Sequence, residues 1–325
     1  MSRRWAVGVD IGGTSVVVGL VPAEGGPPRG LRTRATAGLG DHDAVIAALA
    51  HMVREAIEEG REDASDVVLG VGVGSPGPLD LAGGVVLDAF NLGWRDFPLR
   101  DRLAEAVGLP ALLDNDANCA TWGEYWLGAG RDVRNLVGVT LGTGIGGGVV
   151  LDGRLIHGAS ASAGELGHMT IDFHGRRCKC GNYGCMEAYA SGPNIAARAR
   201  EGLEAGAESA LTRLVDGDLD RLTAATVYQA ILEGDAYAEE VMLETAKILG
   251  AGLANIVNLF NPDMIVIVGG VTRAGEYLFA PLRSEVRRRA FRSAEQVCRI
   301  VAGGLPETAG VIGAAGLFLH SLGER

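Results

Sequence analysis

Two apolar strands joined by a glycine turn occur in the same order twice in the chain. WAVGVD at 5–10 and SVVVGLV at 15–21 flank the turn IGGT, and NLVGVTL, GTGIGG and GVVLDG repeat this order from residue 135. Apolar, β-branched runs of this length are typical of buried strands, and a glycine turn between two of them favours a hairpin. The repeat predicts an internal duplication and therefore two α/β halves, each of which begins with a hairpin.

Helical periodicity alternates with further apolar runs along the rest of the chain. Asp41 is placed to cap a helix that ends near Gly60, because apolar residues between them recur at helical spacing. The sequence predicts more strands near 31–36, 67–74, 111–114 and 264–270, and more helices at 98–107, from Asn115 onward, and at 193–203, 223–233, 236–260 and 308–322.

Charge and hydropathy exclude several classes of protein. The 325 residues carry a formal net charge of −11, which disfavours binding to nucleic acid or to an anionic membrane through a broad basic face. No apolar run reaches about eighteen residues and the N-terminus enters a strand at once, so we expect neither a membrane span nor a signal peptide. Five cysteines without a secretory signal favour a reducing, cytoplasmic location.

The segment ELGHMTIDFHGRRCKCGNYGCME, residues 165–187, holds a set of zinc-type ligands. Three cysteines and one histidine fall within eighteen residues, namely His168, Cys178, Cys180 and Cys185. Zinc prefers thiolate and imidazole ligands, and four of them close a tetrahedron, which is typical of a structural site. The pattern predicts a bound zinc ion, and the alternative is a run of unrelated buried or disulfide-bonded cysteines.

Two carboxylates frame this cluster. Glu165 lies three residues before His168, and Glu187 lies two residues after Cys185. A metal ion that fixes the loop would also fix both carboxylates, so we interpret the segment as a substrate clamp.

The two glycine turns are candidate phosphate-binding sites, because glycine exposes backbone N–H groups and permits close approach of phosphate oxygens. The candidates are Gly12, Gly13 and Thr14 in the first turn and Gly142, Thr143, Gly144 and Gly146 in the second. The alternative is two tight hairpins without a ligand. Residues 142–147 and 72–77 also fit G-x-G-x-x-G, but no helix follows either one, which argues against a Rossmann dinucleotide site.

Carboxylates and an amide at predicted strand ends are candidate catalytic groups. In Asp114-Asn115-Asp116, an aspartate can accept a hydroxyl proton and the asparagine can orient that hydroxyl, whereas the alternative is a helix N-cap. Asp10 ends the first strand and is a candidate for orienting the water ligands of Mg²⁺, or else a plain turn residue.

Two further candidate residues lie in loops. Gly77 in SPGPLD and Asn91 in FNLGW could close over a polyol. His157 has no partner pattern and receives no role.

Together these motifs resemble the ROK family of sugar kinases over nearly the whole chain. The resemblance rests on DIGGT at 10–14, SPGP at 75–78, NLGW at 91–94, DNDAN at 114–118, LGTGIGGG at 141–148, GELGHM at 164–169 and CKCGNYGCME at 178–187. It implies an actin-like, ribonuclease-H-like α/β fold with two domains around a cleft, and ATP with Mg²⁺ as the phosphoryl donor. We expect a small domain of residues 1–114 plus 308–325 and a large domain, 115–307, that carries the zinc loop.

The resemblance also implies roles for the candidate residues. Asp116 would be the base that activates the sugar hydroxyl. The sugar would be held by Gly77, Asn91, Asn115, Asp116, Glu165, His168 and Glu187, and zinc by His168, Cys178, Cys180 and Cys185. ATP would contact Asp10, both glycine turns, and the pair Gly269 and Gly270 after the last predicted strand. Ser15 departs from the family, in which many members carry lysine after DIGGT, so the backbone and Mg²⁺ are left to neutralise charge there.

The expected activity is ATP-dependent phosphorylation of glucose at its 6-hydroxyl. NLGW and the ten-residue spacing from His168 to Cys178 resemble the bacterial glucokinase branch. The alternatives are a kinase for N-acetylmannosamine, N-acetylglucosamine or fructose, and polyphosphate in place of ATP. A sugar-sensing repressor is disfavoured, because family repressors carry a helix-turn-helix domain before the first hairpin and DIGGT begins at residue 10. A homodimer or homotetramer is expected.

Overall fold

The computed structural model describes residues 3–89, 92–305 and 307–323. These ranges contain thirteen strands: β1 (Arg4–Ile11), β2 (Ser15–Pro22), β3 (Arg29–Ala35), β4 (Val67–Ser75), β5 (Leu79–Asp80), β6 (Val85–Ala89), β7 (Trp94–Phe97), β8 (Ala111–Asn115), β9 (Leu136–Leu141), β10 (Ile145–Leu151), β11 (Arg154–Leu155), β12 (Met264–Val268) and β13 (Arg299–Ala302).

The same ranges contain eleven α-helices: α1 (His42–Gly60), α2 (Leu99–Val107), α3 (Asp116–Trp126), α4 (Glu187–Ala190), α5 (Gly192–Glu204), α6 (Leu211–Leu214), α7 (Ala224–Leu232), α8 (Ala236–Phe260), α9 (Glu276–Arg289), α10 (Arg292–Glu295) and α11 (Ala309–Ser321). The predicted cap of α1 is confirmed, because the Asp41 side chain accepts a hydrogen bond from Ala44 N at 2.9 Å. In the described part of the chain, every helix is too short or too polar to cross a membrane.

Two five-stranded sheets share one strand order. The first sheet runs β3-β2-β1-β4-β8 and the second runs β11-β10-β9-β12-β13, while β5, β6 and β7 form a small third sheet. In the first sheet β1 and β2 are antiparallel, whereas β1, β4 and β8 are parallel. The repeated order agrees with the duplication that the two glycine-turn hairpins predict, and the α/β fold class is confirmed.

Contacts within the chain define two compact units. The first unit contains the chain up to Gly138, then Gly148–Gly164, and then the chain from Gly303 onward; the second unit contains Val139–Gly147 and Glu165–Ala302. The helix α11 belongs to the first unit by this grouping. The domain boundary expected after residue 114 stays a prediction.

Helices cover both faces of the first sheet. On one face, the buried side chains of α1 join those of β1 and β2 in an apolar core that includes Val9 and Leu49. On the other face, α11 packs against Ala6 through residues such as Ile312. The approach is close at Gly8, where a Cβ would lie 1.9 Å from the Val311 carbonyl oxygen. Glycine at this position therefore lets α11 lie directly on β1.

Candidate active site

Polar side chains meet at one end of the first sheet. Asp10 of β1 is in register with Gly74 of β4, and Gly74 is in register with Asp114 of β8. Because these strands run parallel, both aspartates lie at the carboxyl ends of their strands, where open α/β sheets bind ligands. The sheet topology thus brings together two groups that are more than a hundred residues apart in the sequence.

The chain turns directly from β8 into α3, with Asn115 as the N-cap. The Asn115 side-chain oxygen accepts hydrogen bonds from Ala117 N at 3.0 Å and Asn118 N at 3.2 Å. Asp116 is the first helical residue, and its Oδ1 accepts from Ala117 N at 2.9 Å. The N-cap interpretation is therefore correct for Asn115, and it places the Asp116 carboxylate at the positive end of the helix.

The carboxyl group of Asp10 has a strongly raised pKa. Burial, followed by the nearby negative charge of Asp116, raises the pKa of Asp10 from 3.8 to about 7. The carboxyl group lies against the start of α11, since a Cβ on Gly310 would be 2.1 Å from Asp10 Oδ2. Two adjacent carboxylates gain most from a nearby cation, and Mg²⁺ prefers oxygen ligands. Asp10, with the charge of Asp116 nearby, therefore fits a magnesium site.

Asp114 is buried and uses both of its carboxylate oxygens. Oδ1 accepts hydrogen bonds from Asn115 N at 2.7 Å and Asn118 Nδ2 at 3.0 Å, and Oδ2 lies 2.7 Å from His157 Nε2. The hydrogen bond to Asp114 raises the pKa of His157. No role for His157 could be predicted from the sequence, because its partner is 43 residues away and neither segment contains a signal of the pairing.

Internal hydrogen bonds occupy part of the first glycine turn. Gly12 N donates to Ser15 O at 2.9 Å, and Thr36 N donates to Thr14 O at 2.9 Å. The N–H group of Gly12 is therefore engaged within the turn, and its role in nucleotide binding stays a prediction. Gly13 borders open space, since a Cβ there would have no neighbour within 4 Å. The candidate donors at this turn reduce to Gly13 and Thr14.

Internal hydrogen bonds also stabilise the second glycine turn. Gly142 N donates to Gly144 O at 3.0 Å, and Gly146 N donates to Thr140 Oγ1 at 3.1 Å. Ile145 N donates to Glu187 Oε2 at 2.8 Å. The donors predicted at Gly142 and Gly146 are thus already engaged, which leaves Thr143 and Gly144 as the candidates for contact with a phosphate.

A cavity of about 450 Å³ lies beside this turn, within the second unit. Gly142 and Thr143 form one wall, and Gly270 forms another. Most of the remaining lining is apolar, with Pro193, Ala196, Leu222, Tyr228, Met242 and Val271. Gly269 has φ 111°, and a Cβ there would lie 2.4 Å from the Leu141 carbonyl oxygen, so glycine is required after β12.

The four predicted zinc ligands cluster in the second unit. The ligand atoms of His168, Cys178, Cys180 and Cys185 all lie within 4.8 Å of one another. Cys178 Sγ is 3.7 Å from His168 Nδ1, and Cys180 Sγ is 3.7 Å from Cys185 Sγ. Ligands about 2.3 Å from a tetrahedral zinc ion are ~3.8 Å apart, so these spacings fit zinc.

The two framing glutamates lie differently around this cluster. Glu165 is exposed, and its Oε2 lies 4.0 Å from His168 Nε2, the ring nitrogen that points away from Cys178. Glu187 Oε1 lies 3.9 Å from Cys178 Sγ, while its other oxygen holds the second glycine turn. Glu187 is therefore a link between the cysteine cluster and that turn, which the sequence did not indicate.

Two loop candidates remain. Gly77 precedes Pro78 through a cis peptide bond, directly after β4. Asn91 lies outside the described residues. The roles of Gly77 and Asn91 in sugar binding stay predictions, as do those of Asn115, Asp116, Glu165, His168 and Glu187.

Known proteins are similar to this sequence over nearly its full length. The model of the ROK family matches residues 6–321. The glucokinase of Halalkalibacterium halodurans is 39% identical over 318 residues, which is 96% of this chain and 94% of the relative. The glucokinase of Thermotoga maritima is 37% identical over 324 residues, which is 99% of this chain and 100% of the relative.

A solved structure of a known protein is also similar to this chain in fold. A ROK family glucokinase from Streptomyces griseus, crystallised in complex with glucose and AMPPNP, superimposes with a TM-score of 0.84. It is 36% identical, and the match covers 96% of this chain and 98% of that protein. The chain therefore has the actin-like ATPase fold. The chain belongs to the ROK family.

Proposed function

We propose that this chain is an ATP-dependent hexokinase that phosphorylates glucose at the 6-hydroxyl. The observation that carries the proposal is the carboxylate of Asp116 at the start of α3, with Asp10 beside it at the carboxyl ends of parallel strands. Full-length similarity to glucokinases supports glucose as the acceptor. The AMPPNP complex of the Streptomyces griseus relative supports ATP as the donor.

Asp116 is the proposed general base. Phosphoryl transfer needs positioning and charge neutralisation more than covalent help, so one group that accepts the hydroxyl proton is sufficient. The Asn115 side-chain oxygen is committed to the helix cap, and its amide N–H₂ group would donate to a sugar hydroxyl. Asp10 would hold water ligands of Mg²⁺, which, when bound, neutralises charge on the phosphates.

The second unit supplies the nucleotide site. The apolar cavity beside Gly142, Thr143 and Gly270 is large enough for an adenosine group and would bury its apolar surface. Thr143 and Gly144 would then approach the phosphates. Polyphosphate has no apolar part to place in this cavity, so its lining favours a nucleotide donor.

A structural zinc ion would stabilise the sugar clamp. His168, Cys178, Cys180 and Cys185 would hold the metal, and the loop that they fix carries Glu165 and Glu187. These carboxylates are suited to accept hydrogen bonds from sugar hydroxyls. The cytoplasmic location, the lack of a nucleic-acid partner and a homodimeric or homotetrameric assembly stay predictions from the sequence.

The test is ADP release from ATP and Mg²⁺ with glucose, mannose, fructose, N-acetylglucosamine and N-acetylmannosamine as acceptors, and with polyphosphate as a second donor. We expect strong ADP release with glucose and only background release without sugar. Preference for an N-acetylated sugar would keep the kinase chemistry but replace glucose as the substrate. No release with any sugar would contradict the proposed function.

A further inference from the structure

The pair of Asp114 and His157 joins the end of β8 to the loop after β11. The 2.7 Å distance from Asp114 Oδ2 to His157 Nε2 is that of a strong hydrogen bond. The Asp114 side chain is 5% exposed and that of His157 is 34% exposed, so water competes weakly for the aspartate. The loop is also closed on itself, since Ala163 N donates to the His157 carbonyl oxygen at 3.1 Å.

The other oxygen of Asp114 holds the first turn of α3. It accepts from Asn115 N at 2.7 Å and from Asn118 Nδ2 at 3.0 Å, and these two residues lie on either side of Asp116. A carboxylate that rotated by a few tens of degrees would lose these bonds. The hydrogen bond from His157 opposes that rotation, because it fixes the second oxygen.

Three carboxylates lie close together near the start of α3. Besides burial, the charges of Asp114, Asp10 and Asp116 all raise the pKa of the Cys119 thiol, so these groups lie close together. The imidazole of His157 contacts Asp114, which is one of these three carboxylates. A protonated imidazole therefore offsets the negative charge of Asp114.

We propose that His157 is a positioning residue for phosphoryl transfer. Its Nε2–H group holds Asp114, Asp114 holds the first turn of α3, and this turn sets the direction of the Asp116 carboxylate. The inference rests on the proposed function, because it assigns to His157 a role that acts through the base. The hydrogen-bond partner of His157 is Asp114, a residue that is not itself proposed to bind sugar or nucleotide.

The test compares His157→Ala, which removes the donor, with His157→Gln, whose side-chain N–H₂ group can reach Asp114. His51→Ala is the matched control, since His51 is exposed in the same unit. We expect His157→Ala to lower kcat by about 10-fold to 100-fold, as small misplacements of catalytic groups do, with KM for ATP little changed. His157→Gln should restore most of kcat at pH 7, and His51→Ala should match the wild type.

A double-mutant cycle separates positioning from general packing. If His157 acts through Asp114, the effect of His157→Ala on kcat should largely disappear when Asp114 is already Asn. The pH profile gives a second readout. The pKa of His157 is raised above 6.5, so the imidazolium is present below that raised value and is lost as the pH rises through it. Above that value the neutral Nε2–H tautomer keeps the hydrogen bond but loses its charge, so the wild type should lose part of its kcat on this alkaline limb, and His157→Gln should lack the limb.

The outcomes are distinct. Unchanged kcat in folded His157→Ala, or equal loss of kcat in the Ala and Gln variants together with additive effects in the cycle, would overturn the inference while the wild type remains active. If His157→Ala does not fold, the pH profile of His157→Gln decides, and an alkaline limb identical to that of the wild type would overturn the proposal. Absence of sugar-dependent ADP release by the wild type would instead overturn the proposed function, and the role of His157 with it.

Discussion

Asp10 is a half-buried carboxyl group next to a second carboxylate, and this arrangement destabilises the protein as the pH rises. Its folded pKa of about 7 lies above the ordinary value of 3.8, so the folded state binds more protons than the unfolded state between these values. The free energy of unfolding therefore falls as the pH rises through this range. A bound divalent cation would offset the cost, which agrees with the proposed role of Asp10 in holding Mg²⁺.

The variant Asp10→Asn tests whether the charge of Asp10 destabilises the folded protein. At pH 8 the variant lacks the half-buried charge, so its free energy of unfolding should exceed that of the wild type by about 1–3 kcal/mol in the absence of Mg²⁺ and nucleotide. Near pH 4.5 the native Asp10 is largely protonated, and the two proteins should differ little. Urea denaturation at both pH values measures the difference. Asp132→Asn, at a highly exposed site in the same unit, is the control. An equal gain at both pH values would contradict the raised pKa.

At the scale of elements, the segment 165–187 supports the second glycine turn as well as carrying the proposed sugar clamp. Glu187 Oε2 accepts from Ile145 N at 2.8 Å, and a Cβ on Gly144 would lie 2.6 Å from the same oxygen. A Cβ on Gly167 would lie 2.0 Å from the Ile145 carbonyl oxygen, so the segment contacts the turn at a second point. Nucleotide binding is therefore expected to depend on this segment even without sugar.

Glu187→Ala should weaken AMPPNP binding without sugar by about tenfold, because Ile145 N–H loses a charged acceptor and the turn loses its brace. Glu187→Gln keeps an acceptor oxygen and should restore most of the affinity. Isothermal titration calorimetry measures both. Glu165→Ala is the matched control, since Glu165 is exposed and pairs with His168. Its nucleotide affinity should remain that of the wild type, and a loss equal to that of Glu187→Ala would refute the brace.

Zinc is expected to support the same contact. Freshly purified protein should contain about one zinc ion per chain, the stoichiometry of a closed four-ligand site. Removal of the metal by a chelator should weaken AMPPNP binding in the same direction as Glu187→Ala, because Glu187 lies beside Cys178. Metal analysis that finds no zinc would contradict the expectation that a metal ion holds the segment 165–187 against the second glycine turn.

Local sequence signals predict some elements and miss others for physical reasons. The helix predicted at 236–260 is α8 residue for residue, because a long apolar stripe and the cap Asp235 define it. The helix α9 was not predicted, since Pro281 and several arginines obscure its pattern. Leu278, Leu282 and Val286 are nevertheless buried at intervals of four residues, and this spacing was the available signal.

At the scale of the whole molecule, the sequence predicts the duplicated architecture but not the contacts between distant segments. Each glycine-turn hairpin could be identified locally, and both sheets have the order that a duplication implies. The hydrogen bonds of Asp114 with His157 and of Glu187 with Ile145 join residues 43 and 42 positions apart. Such contacts depend on the path of the folded chain, and a motif of a few residues carries no information about them.

The most direct test of the account is glucose-dependent ADP release by the wild type and Asp116→Asn, measured side by side with Asp132→Asn as the control. Asn keeps the size of the side chain and an oxygen for Ala117 N, but it cannot accept the hydroxyl proton. We expect Asp116→Asn to lower kcat by roughly 10²–10⁴-fold, the loss typical of a general base, and Asp132→Asn to match the wild type. Near-normal turnover by Asp116→Asn would contradict the assignment of Asp116 as the base.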